Sequence, residues 1–337
     1  MKQGLAAAWY RGSLWLWLLW PLSLLFGLLA VIRRQIYRLG LRPVYRAGVP
    51  VIVVGNITVG GSGKTPLILA LVTVLREAGF TPGVVSRGYG GLTTYPASVG
   101  PDSAAAAVGD EPLLIALRSG APVVVDPRRP EAVKKLLAEH ACDVVLTDDG
   151  LQHYALARDI EICVVDGKRG MGNAKLLPMG PLRESYSRLD SVDYIVVNGG
   201  NGNFYPGEVD MHLQAEPWQS LHGAGSGRMP LAGSRVHALA GIGHPQRFFS
   251  MLREQGFEVV EHAFADHHVY TAADLQFGDG LPLVMTEKDA VKCRPLAGAL
   301  VDGKAWFVPV TAVLPPTFYA TLVEDLRRLR VRNNHAG

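Results

Sequence analysis

The stretch from Val51 to Thr65 restricts the possible folds of this chain more than any other. Val51 to Val54 is a β-branched apolar run of the kind that forms a buried strand. It passes directly into Gly55-Asn56-Ile57-Thr58-Val59-Gly60-Gly61-Ser62-Gly63-Lys64-Thr65, and a helical pattern begins at about Pro66. Strand, glycine-rich turn and helix in that order form the context of a phosphate-binding loop. Glycines let successive backbone N–H groups turn inward toward phosphate oxygens, and the helix N-terminus adds partial positive charge. Thr58, Val59, Gly60, Gly61, Ser62, Gly63, Lys64 and Thr65 are therefore the expected cradle, with Lys64 reaching the β and γ phosphates and the Thr65 hydroxyl reaching Mg²⁺. Thr58 stands where the general pattern has its first glycine. The spacing alone does not choose between ATP and GTP.

Such loops work with a carboxylate at the end of a neighbouring strand. Asp143 to Thr147 reads as that strand, and it ends on Asp148-Asp149-Gly150. Adjacent strand residues point to opposite faces, so one of Asp148 and Asp149 is expected at the metal, and the pattern leaves open which. Further Val- and Ile-rich runs lie at Gly83 to Val85, Pro122 to Val125, Ile160 to Val165 and Tyr194 to Val197, with helices such as Pro66 to Ala78 and Pro130 to His140 between them. Alternation of this kind predicts a P-loop-type, doubly wound, mostly parallel sheet of the α/β class. Chemistry is then sought just beyond the carboxyl ends of the strands.

The expected organisation has four parts. Residues 1–48 form an N-terminal membrane segment with a basic stretch, and 49–200 the nucleotide-binding core. Residues 201–234, which include Asn201-Gly202-Asn203 and Gly223 to Gly227, form a connector holding one strand near Met211 to Ala215. Residues 235–337 form a second, smaller α/β unit. Its strands are expected at Val236 to Ala240, Glu258 to Ala263 and Leu283 to Thr286, with helices near Pro245 to Gln255 and from Pro316 onward.

No charged residue occurs from Leu14 to Ile32, and at about 1.5 Å per residue a helix there approaches the ~30 Å thickness of a bilayer core. Trp9, Trp15, Trp17 and Trp20 suit the headgroup level, and spanning and in-plane geometries are both open. Arg33, Arg34, Arg38, Arg42 and Arg46 follow the segment, against Lys2 and Arg11 before it, which puts the globular part on the cytoplasmic face and offers contacts to anionic lipids. Over the whole chain Lys and Arg number 33 and Asp and Glu 30, a balance that points away from nucleic acid. Cys142, Cys163 and Cys293 are widely separated, which suits buried thiols in a reducing compartment.

Other polar clusters also follow strand-like runs. Ser86-Arg87-Gly88-Tyr89-Gly90-Gly91 offers a guanidinium and backbone amides. Gly109-Asp110-Glu111-Pro112 precedes an apolar helix, where capping explains two acidic residues as well as catalysis does. Asp266-His267-His268 pairs an imidazole with a carboxylate, and Thr286-Glu287-Lys288-Asp289 suggests base recognition of the GTPase type. Glu111 joins Thr65, Asp148 and Asp149 as a candidate Mg²⁺ ligand.

Taken together, these segments and Leu177-Pro178-Met179-Gly180-Pro181-Leu182-Arg183-Glu184 make the chain resemble the tetraacyldisaccharide 4'-kinase family over nearly its whole length. Thr58 is part of that family's pattern. The resemblance implies transfer of the ATP γ-phosphate, with Mg²⁺, to the 4'-hydroxyl of an acylated glucosamine disaccharide 1-phosphate, giving lipid IVA at the inner membrane. It also implies a catalytic pair at Asp110 and His267. The expected mechanism has Asp110, oriented by His267, accepting the hydroxyl proton while Lys64 and Mg²⁺ carry the phosphoryl charge. The rival reading is a P-loop switch that hydrolyses nucleotide without an acceptor.

Overall fold

The computed structural model describes residues 2–200, 205–223, 228–299 and 304–334, so the glycine-rich parts of the expected connector, Asn201 to Asn203 and Ala224 to Gly227, lie outside the described residues. Nine strands form the larger sheet. They are β1 (Val51–Gly55), β2 (Pro82–Ser86), β3 (Ala97–Val99), β4 (Val123–Val125), β5 (Val144–Asp148), β6 (Ile160–Asp166), β7 (Tyr194–Asn198), β8 (Val209–Ala215) and β14 (Val310–Val313). Their order is β14-β8-β7-β6-β1-β5-β2-β4-β3. Only the two edge strands, β3 and β14, run antiparallel to their neighbours. β1 lies at the centre, with Val54 opposite Asp148 of β5, so the phosphate loop and the paired aspartates leave the sheet side by side.

Strand alternation sends Ile52 and Val54 into one layer and Val51 and Val53 into the other. The first layer is covered by α3 (Lys64–Glu77) and α5 (Asp110–Ser119), which follows the single turn α4 (Ala105–Val108). The second is covered by α6 (Arg129–Glu139) through Ala132, Val133 and Leu136. Burial on both faces explains why the central strands read as unbroken apolar runs.

A second, five-stranded sheet holds β9 (Gln219–Ser220), β10 (Arg235–Ala240), β11 (Glu258–Ala263), β12 (Leu283–Thr286) and β13 (Ala305–Val308) in the order β11-β10-β12-β13-β9. Helices α7 (Pro245–Glu254) and α8 (Glu287–Cys293) pack on it. The final helix, α9 (Pro316–Asn334), does not. Phe318, Leu322 and Leu326 of α9 are buried in the core of the larger sheet, each burial stabilising by about 1.5–3 kcal/mol, and β14 pairs with β8. The expected C-terminal unit 235–337 is thus split, and the expected connector supplies one strand to each sheet. The chain crosses between the sheets twice, at β8 to β9 and at β13 to β14.

The N-terminal apolar segment forms α1 (Lys2–Arg11), a 3₁₀ run Leu14–Leu19 and α2 (Trp20–Arg38). The 25 residues Leu14–Arg38 are long and apolar enough to cross a membrane, and little of them is buried. The helix nevertheless lies along the body of the protein. Trp9 Nε1 donates to the Pro178 carbonyl at 3.0 Å, Ser23 Oγ to the Leu176 carbonyl at 2.6 Å, and Arg34 to Ser191 Oγ at 3.0 Å. Gly27 packs closely on the Leu176 side chain, which a methyl group there would have to displace. Leu14, Leu18, Leu22 and Leu25 are exposed.

Candidate active site

The helix behind the phosphate loop starts at Lys64, two residues before the expected Pro66, so Lys64 and Thr65 occupy its first turn. Gly60 and Gly63 have φ of +109° and +97°, values open to glycine and strained for other residues. A side chain at Gly63 would also collide with Asn198, whose amide donates to the Ser62 carbonyl at 3.0 Å. The loop entry is fixed without the usual first glycine, because Thr58 bridges Leu182 and the Val59 N–H donates to the Pro181 carbonyl at 2.9 Å.

The two aspartates after β5 have different environments. Asp148 is buried, accepts from Ser86 Oγ at 3.0 Å, and has Oδ1 without a hydrogen-bond partner. Burial and the nearby Glu111 push its carboxyl up to about 6. Asp149 has left the strand with φ of +49° and faces Lys64 Nζ at 3.5 Å and Arg183 at 2.8 Å. Burial pulls its pKa upward, but the charges of Lys64 and Arg183 outweigh that and hold it well below the usual carboxylate range.

The most distant sequence candidates meet here. His267 Nδ1 lies 3.1 Å from both carboxylate oxygens of Asp110, and Tyr89 packs against the imidazole with ring centroids 5.1 Å apart. Asp110 opens α5 and is 5% exposed. Burial raises its pKa, yet the His267 hydrogen bond and the charge of Lys288 bring it down to about 2. The same hydrogen bond raises the pKa of His267 above its ordinary value. His267 adopts φ of +62°, a conformation uncommon for a non-glycine residue and often seen at functional sites.

Lys288 sits among carboxylates. Its ammonium pairs with Glu111 at 2.8 Å, Asp266 at 3.1 Å and Asp110 at 3.8 Å. Asp289 is fully buried and accepts from the Gly241 N–H, Tyr270 Oη and Thr286 Oγ1. Both side chains of the Lys-x-Asp string are thus tied to partners within the protein. His268 turns away to Asp274 at 3.4 Å.

Sequence reasoning passed over Arg129, although it follows β4 closely. Its buried guanidinium donates to the Asp126 and Asp148 carbonyls at 2.9 and 2.7 Å and so braces the end of β5. His153, a few residues beyond Asp149, is depressed to about 3 by burial, then by Arg129 and Arg87.

Lys64, Asp149, Arg183, His153 and Lys288 open on one cleft of about 1580 Å³. Its walls include the phosphate loop, Asp110, Glu111, Asp148, Asp149 and His267, and also Leu5, Trp9, Phe26, Leu29 and Arg33 of the N-terminal helices. The loop from Ile242 to His244 closes the other side, with Gly243 packed against Gly61. Among the described residues no three His, Cys, Asp or Glu side chains converge as a ready-made metal cage.

A phosphate loop on a doubly wound sheet, with strand-end aspartates and an Asp–His pair beside it, defines a P-loop phosphotransferase. Residues 15–327 match the family model described as tetraacyldisaccharide-1-P 4'-kinase. The chain belongs to that family, and it is an ATP-dependent kinase of lipid A biosynthesis. It is 50% identical over 325 residues to the tetraacyldisaccharide 4'-kinase of Tolumonas auensis, covering 96% of this chain and 97% of that one. To the Pseudomonas aeruginosa protein of the same name it is 48% identical over 336 residues, 98% and 99% of the two chains. Among solved structures it is similar to LpxK from Aquifex aeolicus in complex with ATP, with a TM-score of 0.76, 26% identity, and coverage of 94% of this chain and 99% of that one.

Proposed function

We propose that the cleft seats ATP on the loop from Thr58 to Thr65 and an acylated disaccharide 1-phosphate against the N-terminal helices, so that the γ-phosphate passes to the 4'-hydroxyl. One observation carries this reading: the phosphate loop and an apolar helical wall belong to the same cavity. Arg33 and Arg87 line its acceptor end, where positive charge suits an anionic sugar phosphate.

Lys64 stabilises charge on the β and γ phosphates, and backbone amides from Gly60 to Thr65 hold them in place. Thr65 and Asp148 are the best candidates for Mg²⁺, with Glu111 at its edge. The unpartnered Oδ1 of Asp148 and its raised pKa fit a position that gains from a cation. When bound, the ion would offset charge on the phosphates. Asp149 is already neutralised by Lys64 and Arg183, which supports giving it the task of orienting Lys64.

Asp110 is deeply buried and depressed to about 2, which makes it a weak proton acceptor at neutral pH. His267, raised by the same contact, is the stronger base of the pair. We therefore assign the proton of the 4'-hydroxyl to His267 Nε2, with Asp110 fixing the tautomer through Nδ1 and stabilising the imidazolium. This reverses the division of labour expected from the sequence. Because His267 stands on the second sheet's side of the cleft and Asp110 on the first, the site is complete only when the two halves are together.

The protein is membrane-associated. Side-on docking of α1 and α2 favours an in-plane seat in the cytoplasmic leaflet of the inner membrane, with Leu14, Leu18 and Leu25 in the acyl region and the arginines after Ile32 among anionic headgroups. Comparing acylated and deacylated acceptors tests the reading. The acylated disaccharide in mixed micelles should have a KM at least about tenfold lower, and equal KM values would sink it.

A further inference from the structure

We propose that Arg169 is a positioning residue for the nucleotide phosphates, held in place by Tyr10, so that helix α1 is a working part of the ATP site. The proposal rests on the reading of the loop from Thr58 to Thr65 as that site.

Three observations support it. The first is placement. β6 ends at Asp166, whose Oδ1 accepts the backbone N–H groups of Lys168 and Arg169 at 3.0 and 3.2 Å and closes a tight turn. The turn sends the Arg169 guanidinium onto the phosphate loop, where a methyl group on Gly60 would come within 3.2 Å of both terminal nitrogens. Gly60, Asp166 and Lys168 line the cleft and Arg169 does not, so its contact is with the loop itself.

The second is what holds it. The Arg169 guanidinium lies 4.6 Å from the centroid of the Tyr10 ring and donates to Tyr10 Oη at 2.9 Å. Gly172 leaves room for the same ring, since a side chain there would approach it to 3.2 Å. Trp9, the preceding residue of α1, is anchored to the Pro178 carbonyl, so Tyr10 is presented from a docked helix.

The third is charge. Asp166, the carboxylate on the same turn, pairs with Arg247 at 3.6 Å, and among the described residues Arg169 has no ion-pair partner. This half-buried guanidinium has a phenol as its polar side-chain partner and, among the described residues, no counter-charge beside it. An anion held by the adjacent loop would compensate it.

The test measures binding of a fluorescent nonhydrolysable ATP analogue to the full-length protein, with KM values for ATP and for the acylated acceptor. The variants are Arg169→Gln, Arg169→Lys, Tyr10→Leu and the Arg169→Gln/Tyr10→Leu double variant, with Lys64→Ala as reference. Arg169→Gln should weaken analogue binding about tenfold and leave the acceptor KM within about twofold. Arg169→Lys keeps the charge and should recover about a third of the lost affinity. Tyr10→Leu should cost about three- to fivefold in the same parameter and add nothing to Arg169→Gln, as expected for coupled residues. An Arg169→Gln protein within twofold of wild type, beside a weakened Lys64→Ala protein, overturns the proposal. So do multiplicative effects in the double variant, or a Tyr10→Leu effect confined to the acceptor KM. Normal analogue binding by Lys64→Ala overturns the ATP-site reading and the proposal with it.

Discussion

Replacing Asp110 with Asn separates the two ways of dividing work within the catalytic pair. Asn keeps the shape and leaves a carbonyl acceptor for His267 Nδ1, now 3.1 Å from the carboxylate, but removes the negative charge. A hydrogen bond to a charged partner contributes about 1.5–3 kcal/mol, so loss of that stabilisation from the developing imidazolium should slow turnover about 10- to 100-fold. His267→Gln removes the base itself and should cost about 10²- to 10⁴-fold. The pH profile gives an independent reading. His267 must be neutral to accept a proton, and its pKa is raised first by the hydrogen bond with Asp110. Activity should therefore fall as pH drops through that raised value, and Asp110→Asn should move the acid limb to lower pH. Steady-state kcat from pH 5 to 9 on both variants is the assay. A larger loss in Asp110→Asn than in His267→Gln, or an acid limb that stays put, would refute the assignment.

Three further outcomes follow from the geometry. Asp110 also bears on folding: its pKa lies near 2 in the native state against 3.8 ordinarily, so its ionised form stabilises the fold by about 2 kcal/mol above roughly pH 5. That contribution is lost as pH falls toward 2, and denaturant unfolding should show Asp110→Asn without this part of the acid dependence. Arg118, at the last turn of α5, joins Glu287 of α8, the Val310 carbonyl, Thr311 and Glu216 where the chain crosses between sheets. Arg118→Ala should cost about 2–4 kcal/mol, read as a fall in the denaturation midpoint. Leu18→Glu with Leu25→Glu, on the exposed face of the N-terminal helices, should weaken sedimentation with anionic vesicles at least about tenfold without changing nucleotide binding.

Most strands of the larger sheet were legible because strands buried on both faces appear as Val- and Ile-rich runs. The phosphate loop was legible because its chemistry is local: glycines, Lys64 and Thr65 are contiguous. The return of the chain was not. β14 is four residues long, and its pairing with β8 depends on α9 finding buried room for Phe318 and Leu322, which no local pattern announces. Likewise Asp110 and His267 are 157 residues apart, and the residues around each are compatible with a helix start and a surface loop. Only the family resemblance joined them. The three carboxylates around Lys288 were not legible because a Lys-x-Asp string carries no sign of partners so distant in sequence. The different surroundings of Asp148 and Asp149 were not legible either, because they depend on the turn at Asp149, whose positive φ accompanies its pairing with Lys64.

The claim that one cleft joins the phosphate loop to a membrane-seated acceptor site is tested most directly by following the label from γ-labelled ATP in the presence of tetraacyldisaccharide 1-phosphate. The account predicts label on the 4'-oxygen of the lipid, with little release of inorganic phosphate, and loss of that transfer in Lys64→Ala and His267→Gln. Label appearing as inorganic phosphate at the same rate with or without the lipid would contradict it.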